Sequence, residues 1–138
     1  MRNEELMEPV IKFIGKIQSA LKNIEDCPLQ GAENAPEATI IISPEFIEGI
    51  KDLAAGQEVL LLTWLHLADR TVIKCYPRHN YDAPFMGVFS TRSPDRPNPI
   101  GIHPVKILSV SASGIIKVSG LEALDQTPVI DIKPVLKK

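Results

Sequence analysis

The chain has 138 residues, 44% of them hydrophobic, and a formal net charge of −2 from 15 basic and 17 acidic side chains. That length suits a single domain, 1–138, whose core needs neither disulfides nor a structural metal, and the composition excludes a low-complexity or fibrous chain. The charge is uneven: residues 1–58 hold five basic and eleven acidic side chains, or −6, while residues 59–138 hold ten and six, or +4. A mildly acidic protein can therefore show a positive face, here around Arg70, Lys74, Arg78 and Lys106, which is compatible with RNA and equally with a solvated surface.

Met1 to Glu8 is a charged leader, and Val10 to Gln18 alternates loosely enough to predict a first strand. Cys27 to Pro36 reads as a loop. Cys27 and Cys75 stand apart with no CxxC pair, so the thiols are expected to be reduced and neither a zinc site nor a disulfide framework is indicated. Thr39 to Ile42 is a β-branched run, followed by Ser43-Pro44-Glu45, which suits an N-cap with proline at the first helical position. A helix from Pro44 to about Leu53 would put Phe46, Ile47, Ile50 and Leu53 on one face, with Gly56 as a stop. Glu58 to Leu67 is nearly all apolar and predicts a buried central strand, with Val72 to Tyr76 as its partner. Ile102–Ser109 and Gly114–Gly120 form a hairpin through Ser111-Ala112-Ser113-Gly114, and Val129–Ile132 is the last strand. These elements predict a mainly β fold: a single barrel-like, mostly antiparallel sheet with one or two short helices. The longest apolar run, at Val59–Leu65, is too short to span a bilayer and no basic-then-apolar leader opens the chain, so a cytoplasmic location is expected.

The most informative stretch is Gly87-Val88-Phe89-Ser90-Thr91-Arg92-Ser93-Pro94-Asp95-Arg96-Pro97-Asn98-Pro99-Ile100-Gly101. Its three prolines fix φ and remove backbone donors, so neither a helix nor a central strand can run from Ser93 to Pro99. A rigid loop carrying Arg92 and Arg96 presents planar charged forks suited to a carboxylate, a phosphate or a flat base, with Asn98 beside them. A GxGxxG turn and a Walker lysine loop are both lacking, so a nucleotide would not be held by either of those routes.

The string T-R-S-P-D-R-P-N-P-I-G-I closely resembles the signature of the TsaA/TrmO-like family of small S-adenosylmethionine-dependent tRNA methyltransferases. Leu124-Asp125-Gln126-Thr127-Pro128-Val129-Ile130-Asp131-Ile132-Lys133-Pro134 is similar to that family's D-G-T-P-V-x-D-I-K-P element, Trp64-Leu65-His66 to its strand ending in histidine, and Ile14-Gly15-Lys16-Ile17-Gln18-Ser19 to its first strand. The resemblance implies a TsaA-like barrel, a homodimer, S-adenosyl-L-methionine as cofactor, and methylation of N6 of threonylcarbamoyl-adenosine beside the tRNA anticodon. It also implies a cofactor pocket made by Pro28, Leu29, Gln30, His66, Leu67, Arg92, Ile102, Leu124, Asp125, Gln126 and Thr127.

Arg96, Asn98 and Lys133 are then candidates for the RNA substrate, and Asp125 or Asp131 for the base that relieves the weakly nucleophilic acceptor nitrogen of its proton. For Asp131 the competing reading is a carboxylate satisfied by Lys133, Lys106 or a backbone donor. His66 is a pocket candidate, His103 stands where many family members have a small hydroxyl residue, and His79 is expected to be exposed. The chain departs from the family at Leu29 (usually arginine), Gln126 (usually glycine) and Val135 (usually aromatic). Gln126 is notable because that turn position suits a residue of positive φ. Longer bacterial members carry a further C-terminal domain that engages substrate. Two other functions therefore stay open: a methyltransferase with a different acceptor, and a module that binds S-adenosylmethionine or RNA without turnover.

Overall fold

The computed structural model describes residues 8–21, 37–76, 82 and 84–136. Among them run eight strands: β1 (Gly15–Gln18), β2 (Ala38–Ile42), β3 (Glu58–Trp64), β4 (Lys74–Cys75), β5 (Met86–Gly87), β6 (Ile100–Val110), β7 (Ile115–Ser119) and β8 (Pro128–Pro134). Six close a barrel in the order β1-β2-β7-β6-β3-β8, every neighbouring pair antiparallel, while β4 and β5 form a separate ribbon. The mainly β, barrel-like architecture expected from the sequence is thus present.

Period-2 alternation builds the interior. Ile17, Ile40, Val59, Leu61, Ile107, Ile116, Val118 and Val129 point inward and are each at most 1% exposed. Closure removes free sheet edges, so these short strands need no second layer. Pro104 sits inside β6 without breaking it, because β7 pairs with β6 only from Lys106 onward and the upstream half has β3 alone beside it. The β6–β7 hairpin turns where the Ser-Ala-Ser-Gly run predicts, with Gly114 at φ +94°. A Cβ there would lie 3.1 Å from the Ile47 side chain and 3.2 Å from the Ile42 carbonyl.

Four elements differ from expectation. β1 begins at Gly15 rather than Val10: Ile14 still donates to Val129 O and accepts from Ser43 N–H, but β2 ends at Ile42 before Pro44, and residues 10–13 have no such bonds among the described residues. The helix is a 3-10 helix, Pro44–Ile50, with Phe46 N–H donating to Ser43 O and, just beyond it, Leu53 N–H to Ile50 O, while the Ser43 side chain makes no cap. Ile47, Ile50 and Leu53 are spaced by threes, which suits three residues per turn, and together with Phe46 they pack against the core as expected. β3 stops at Trp64, and His66 and Leu67 lie in the turn after it. Lys74–Cys75 does not pair with the central strand, since β6 and β8 occupy both edges of β3; it pairs with Met86–Gly87. The Cys27–Pro36 loop, His79 and Arg78 lie outside the described residues.

Candidate functional site

The end of β3, the start of β6, the end of β1 and the turn before β8 come to one end of the barrel, because each strand pairs antiparallel with its neighbour. Two groups of candidate residues are built there.

The first is the arginine loop. Residues 91–99 adopt neither helix nor strand, as the prolines require. Val88–Ser90 forms one 3-10 turn, tied to the ribbon by Val88 N–H donating to Ile73 O at 3.0 Å. Arg96 folds back on this turn: its Nη2 donates to the carbonyls of Val88 and Thr91, the latter at 2.8 Å, and its Nε is buried without a partner among the described residues. Thr91 Oγ1 donates to Val88 O at 2.9 Å and accepts from Ser93 N–H at 3.1 Å. The far side is held by the turn after β3. Asp69 N–H donates to Asp95 Oδ1 at 2.8 Å, and Arg70, stacked 5.0 Å from the Trp64 ring centroid, donates from Nε to Pro97 O at 2.7 Å and from Nη2 to Asn98 Oδ1 at 3.2 Å. Both Arg96 and Asn98, expected at the substrate, are thus engaged in holding the loop. Arg92, between Thr91 and Ser93, is exposed and makes no hydrogen bond or ion pair with the described residues. The loop therefore presents one fork and uses the other for its own geometry.

The second group is the Leu124–Thr127 turn, locked to β1 by backbone bonds: Asp125 N–H to Leu21 O at 2.8 Å, Gln126 N–H to Ile17 O at 2.7 Å and Ile17 N–H to Thr127 O at 2.9 Å. Thr127 is 2% exposed, and its hydroxyl donates to Leu124 O at 2.6 Å. Asp125 Oδ1 accepts from Ser19 N–H at 2.9 Å and Oδ2 from Gln126 Nε2 at 3.3 Å. Gln126 has φ +70°, the left-handed conformation anticipated from the family's glycine. Asp125 and Gln126 line a cavity of about 470 Å³ with Gln18, Ser19, Glu37, Thr39 and Lys117.

His66 and Leu67 are exposed beyond Trp64, and Ile102, opposite Leu62 on the outer wall, is 48% exposed. These residues and Arg92 do not line the Asp125 cavity, and Pro28, Leu29 and Gln30 lie outside the described residues. Asp131 accepts from Ile132 N–H at 2.9 Å and stands 3.4 Å from Lys133 Nζ, a half-exposed surface pair. His103 points inward, its Nε2 2.9 Å from the buried Thr63 Oγ1, and burial pushes its pKa down to about 4, so the ring is neutral. The roles of Ser19, Glu37, Lys117 and Arg70 were not legible in the sequence. Ser19 meets Asp125 across 106 positions, and no local pattern marks such a pair.

Among the described residues no group of three or more His, Cys, Asp or Glu could hold a metal ion, and no helix is long and apolar enough to cross a membrane.

Comparison with known proteins points the same way. A probable S-adenosyl-L-methionine-binding protein of Methanothermobacter thermautotrophicus is 42% identical over 128 residues, covering 93% of this chain and 90% of the relative. An S-adenosyl-L-methionine-binding protein of Archaeoglobus fulgidus is 38% identical, covering 90% and 87%. The crystal structure of TrmO from Pseudomonas aeruginosa superposes with a TM-score of 0.74 at 32% identity, covering 95% of this chain and 57% of TrmO, so the chain spans little more than half of that protein's length. The profile of the tRNA-methyltransferase O N-terminal domain matches residues 16–138, and the chain belongs to that family.

Proposed function

We propose that this protein is an S-adenosyl-L-methionine-dependent methyltransferase domain acting on tRNA, with N6 of threonylcarbamoyl-adenosine in the anticodon loop as the acceptor and a homodimer as the working form. The observation that carries this reading is the preassembled arginine loop, in which Arg96 and Arg70 hold the backbone and leave Arg92 exposed for an anionic group. The donor set suits the cofactor. Arg92 matches the carboxylate, Asp125 and the Gln126 carboxamide match the ribose diol at the other end of the molecule, and a 470 Å³ cavity has the size of a small-molecule pocket. The curated relatives named as S-adenosyl-L-methionine-binding proteins support the same cofactor.

When bound, the cofactor would supply a methyl group on a sulfonium, a reaction that asks the protein chiefly for alignment and exclusion of water. The loop's side-chain to backbone bonds supply rigidity, and Asp125, which lines the cavity, is better placed to take the acceptor's proton than Asp131, which pairs with Lys133 on the surface. Arg92, His66, Leu67 and Ile102 face outward at the same end as the cavity, so a second copy against this wall would bring more groups to the site. The test is calorimetric titration with S-adenosylmethionine of the native protein and of Arg92→Ala, followed by transfer of labelled methyl to tRNA with and without the threonylcarbamoyl group. Binding weakened in the variant, with transfer only to the modified tRNA, is the expected result. No binding by the native protein would overturn the assignment.

A second reading, a module that binds the cofactor without turnover, is favoured by the relatives being described as binding proteins. Binding without transfer to any RNA fraction would select it.

A further inference from the structure

Among the described residues the buried core holds no aromatic side chain, only isoleucine, leucine, valine and alanine. Aromatic rings are instead exposed on and beside the β4–β5 ribbon: Phe85 is 53% exposed, Phe89 82%, and Tyr76 is exposed in part. A ring left in water forgoes the burial that usually stabilises it, so a group of them on a held element marks a contact surface. The ribbon is held against the arginine loop by Val88 N–H donating to Ile73 O and by Cys75 Sγ, 3.8 Å from Thr91 Oγ1.

Register decides which groups share a face. Lys74 lies opposite Gly87 and Cys75 opposite Met86, which puts Tyr76 opposite Phe85 one step beyond the ladder. Side chains alternate along a strand, so Lys74, Tyr76 and Phe85 project to the side on which Gly87 leaves the backbone bare. The Tyr76 and Phe85 ring centroids are 4.9 Å apart, and Lys74 Nζ stands 5.6 Å from the Phe85 centroid. Gly87 has φ −63° and ψ 142°, a conformation open to any residue, and an added Cβ would meet only the Ile73 carbonyl oxygen, at 3.9 Å. Neither backbone geometry nor packing asks for glycine there, whereas close approach of a flat group to the backbone does. Residues 70–92 carry four basic side chains, Arg70, Lys74, Arg78 and Arg92, against one acidic, Asp82, or +3, in a chain of net charge −2. Rings within a cationic segment suit a polyanion that bears flat apolar groups: bases stack on the rings and phosphates pair with the cations.

We propose that this face of the β4–β5 ribbon is a stacking platform for unpaired RNA bases, with Phe85 as a positioning residue, Gly87 as the opening that admits a base, and Lys74 as a phosphate contact. The exposed contact of Lys74 with the Phe85 ring is weak enough for a base to displace, which frees the ammonium for the adjoining phosphate. This deepens the reading of an enzyme that acts on RNA and rests on it.

The experiment measures binding of two labelled RNAs, a stem-loop with an unpaired loop and a fully paired duplex, to native protein, Phe85→Leu, Phe85→Trp and Gly87→Ala, with thermal melting and sedimentation alongside. Phe85→Leu keeps apolar bulk without a stacking face, and its affinity for the stem-loop is expected to fall by about tenfold with the duplex unaffected. Phe85→Trp restores stem-loop binding. Gly87→Ala, whose φ suits alanine, melts no lower than the native protein yet binds the stem-loop several-fold more weakly. Native binding that is equal for stem-loop and duplex, or Phe85→Leu and Gly87→Ala proteins that bind the stem-loop like the native one, would overturn the platform and leave the RNA reading intact. A Phe85→Leu protein that binds RNA unchanged but sediments as a smaller species would overturn it in favour of a contact between copies of the chain. Failure of the native protein to bind either RNA would remove the RNA reading and this inference with it, and titration of the same sample with S-adenosylmethionine would show whether the cofactor reading survives.

Discussion

The barrel wall and the arginine loop are held together by different physics. In the wall, backbone ladders satisfy the peptide groups and inward aliphatic side chains supply non-directional burial. In the loop between the buried Val88 and Pro99 little apolar surface is buried: Phe89 is 82% exposed, and the backbone is held by Arg96, Thr91, Asp95 and Arg70 through directed hydrogen bonds. A wall substitution should therefore cost stability first. A loop substitution should change the site before it unfolds the protein.

The largest expected effect is in the wall. Leu61 is fully buried between Val59 and Thr63 on β3, and Leu61→Ala should cost about 2 to 5 kcal/mol, read by chemical denaturation. Next comes a titration inside the same wall. His103 has its pKa pushed from 6.5 to about 4 by burial. The unfolded chain therefore takes up a proton below about pH 6.5 that the folded protein refuses until about pH 4. Stability should be complete above pH 6.5 and fall as pH drops through that window, by at most about 3 kcal/mol. His103→Asn should flatten this dependence, and an unchanged slope would show that other groups set it.

The contrast between wall and loop also explains what the sequence made legible. The apolar run at Glu58–Trp64, the hairpin run at Ile115–Ser119, the Ser-Ala-Ser-Gly turn and the prolines of the loop each act locally, so strands, hairpin and loop can be read from neighbours in the chain. The 3-10 form of Pro44–Ile50 depends on which face the barrel offers. The pairing of Lys74–Cys75 depends on β3 having no free edge. The site was legible as residues but not as roles. Arg92 and Arg96 look alike in the sequence, four positions apart, and only the carbonyls of Val88 and Thr91 decide which one is spent on the loop.

That division predicts a third, smaller effect. Arg96→Lys replaces a fork bridging two carbonyls with a point charge that cannot keep both contacts, at a cost of about 2 kcal/mol. Cofactor affinity should fall with it although Arg96 is not placed at the ligand, and thermal melting beside calorimetry would show both. Intact affinity in a destabilised Arg96→Lys would mean that the loop does not position Arg92.

Arg70 is the weaker clamp, and its variant should be the mildest. It makes the same kind of contact as Arg96, to Pro97 O and Asn98 Oδ1, but in an exposed turn where water competes for every donor. Its stacking on Trp64 adds about 0.5 to 1 kcal/mol at an exposed site. Arg70→Lys loses the planar fork and most of that stacking while keeping the charge, so about 1 kcal/mol or less should be lost. Because the charge is unchanged, any drop in cofactor affinity reports loop geometry rather than long-range attraction and should persist at high salt. Arg70→Ala removes the charge too, and its additional loss should shrink as salt is raised. If the two variants lose equal affinity at every salt concentration, Arg70 acts only by holding Pro97 and Asn98 in place.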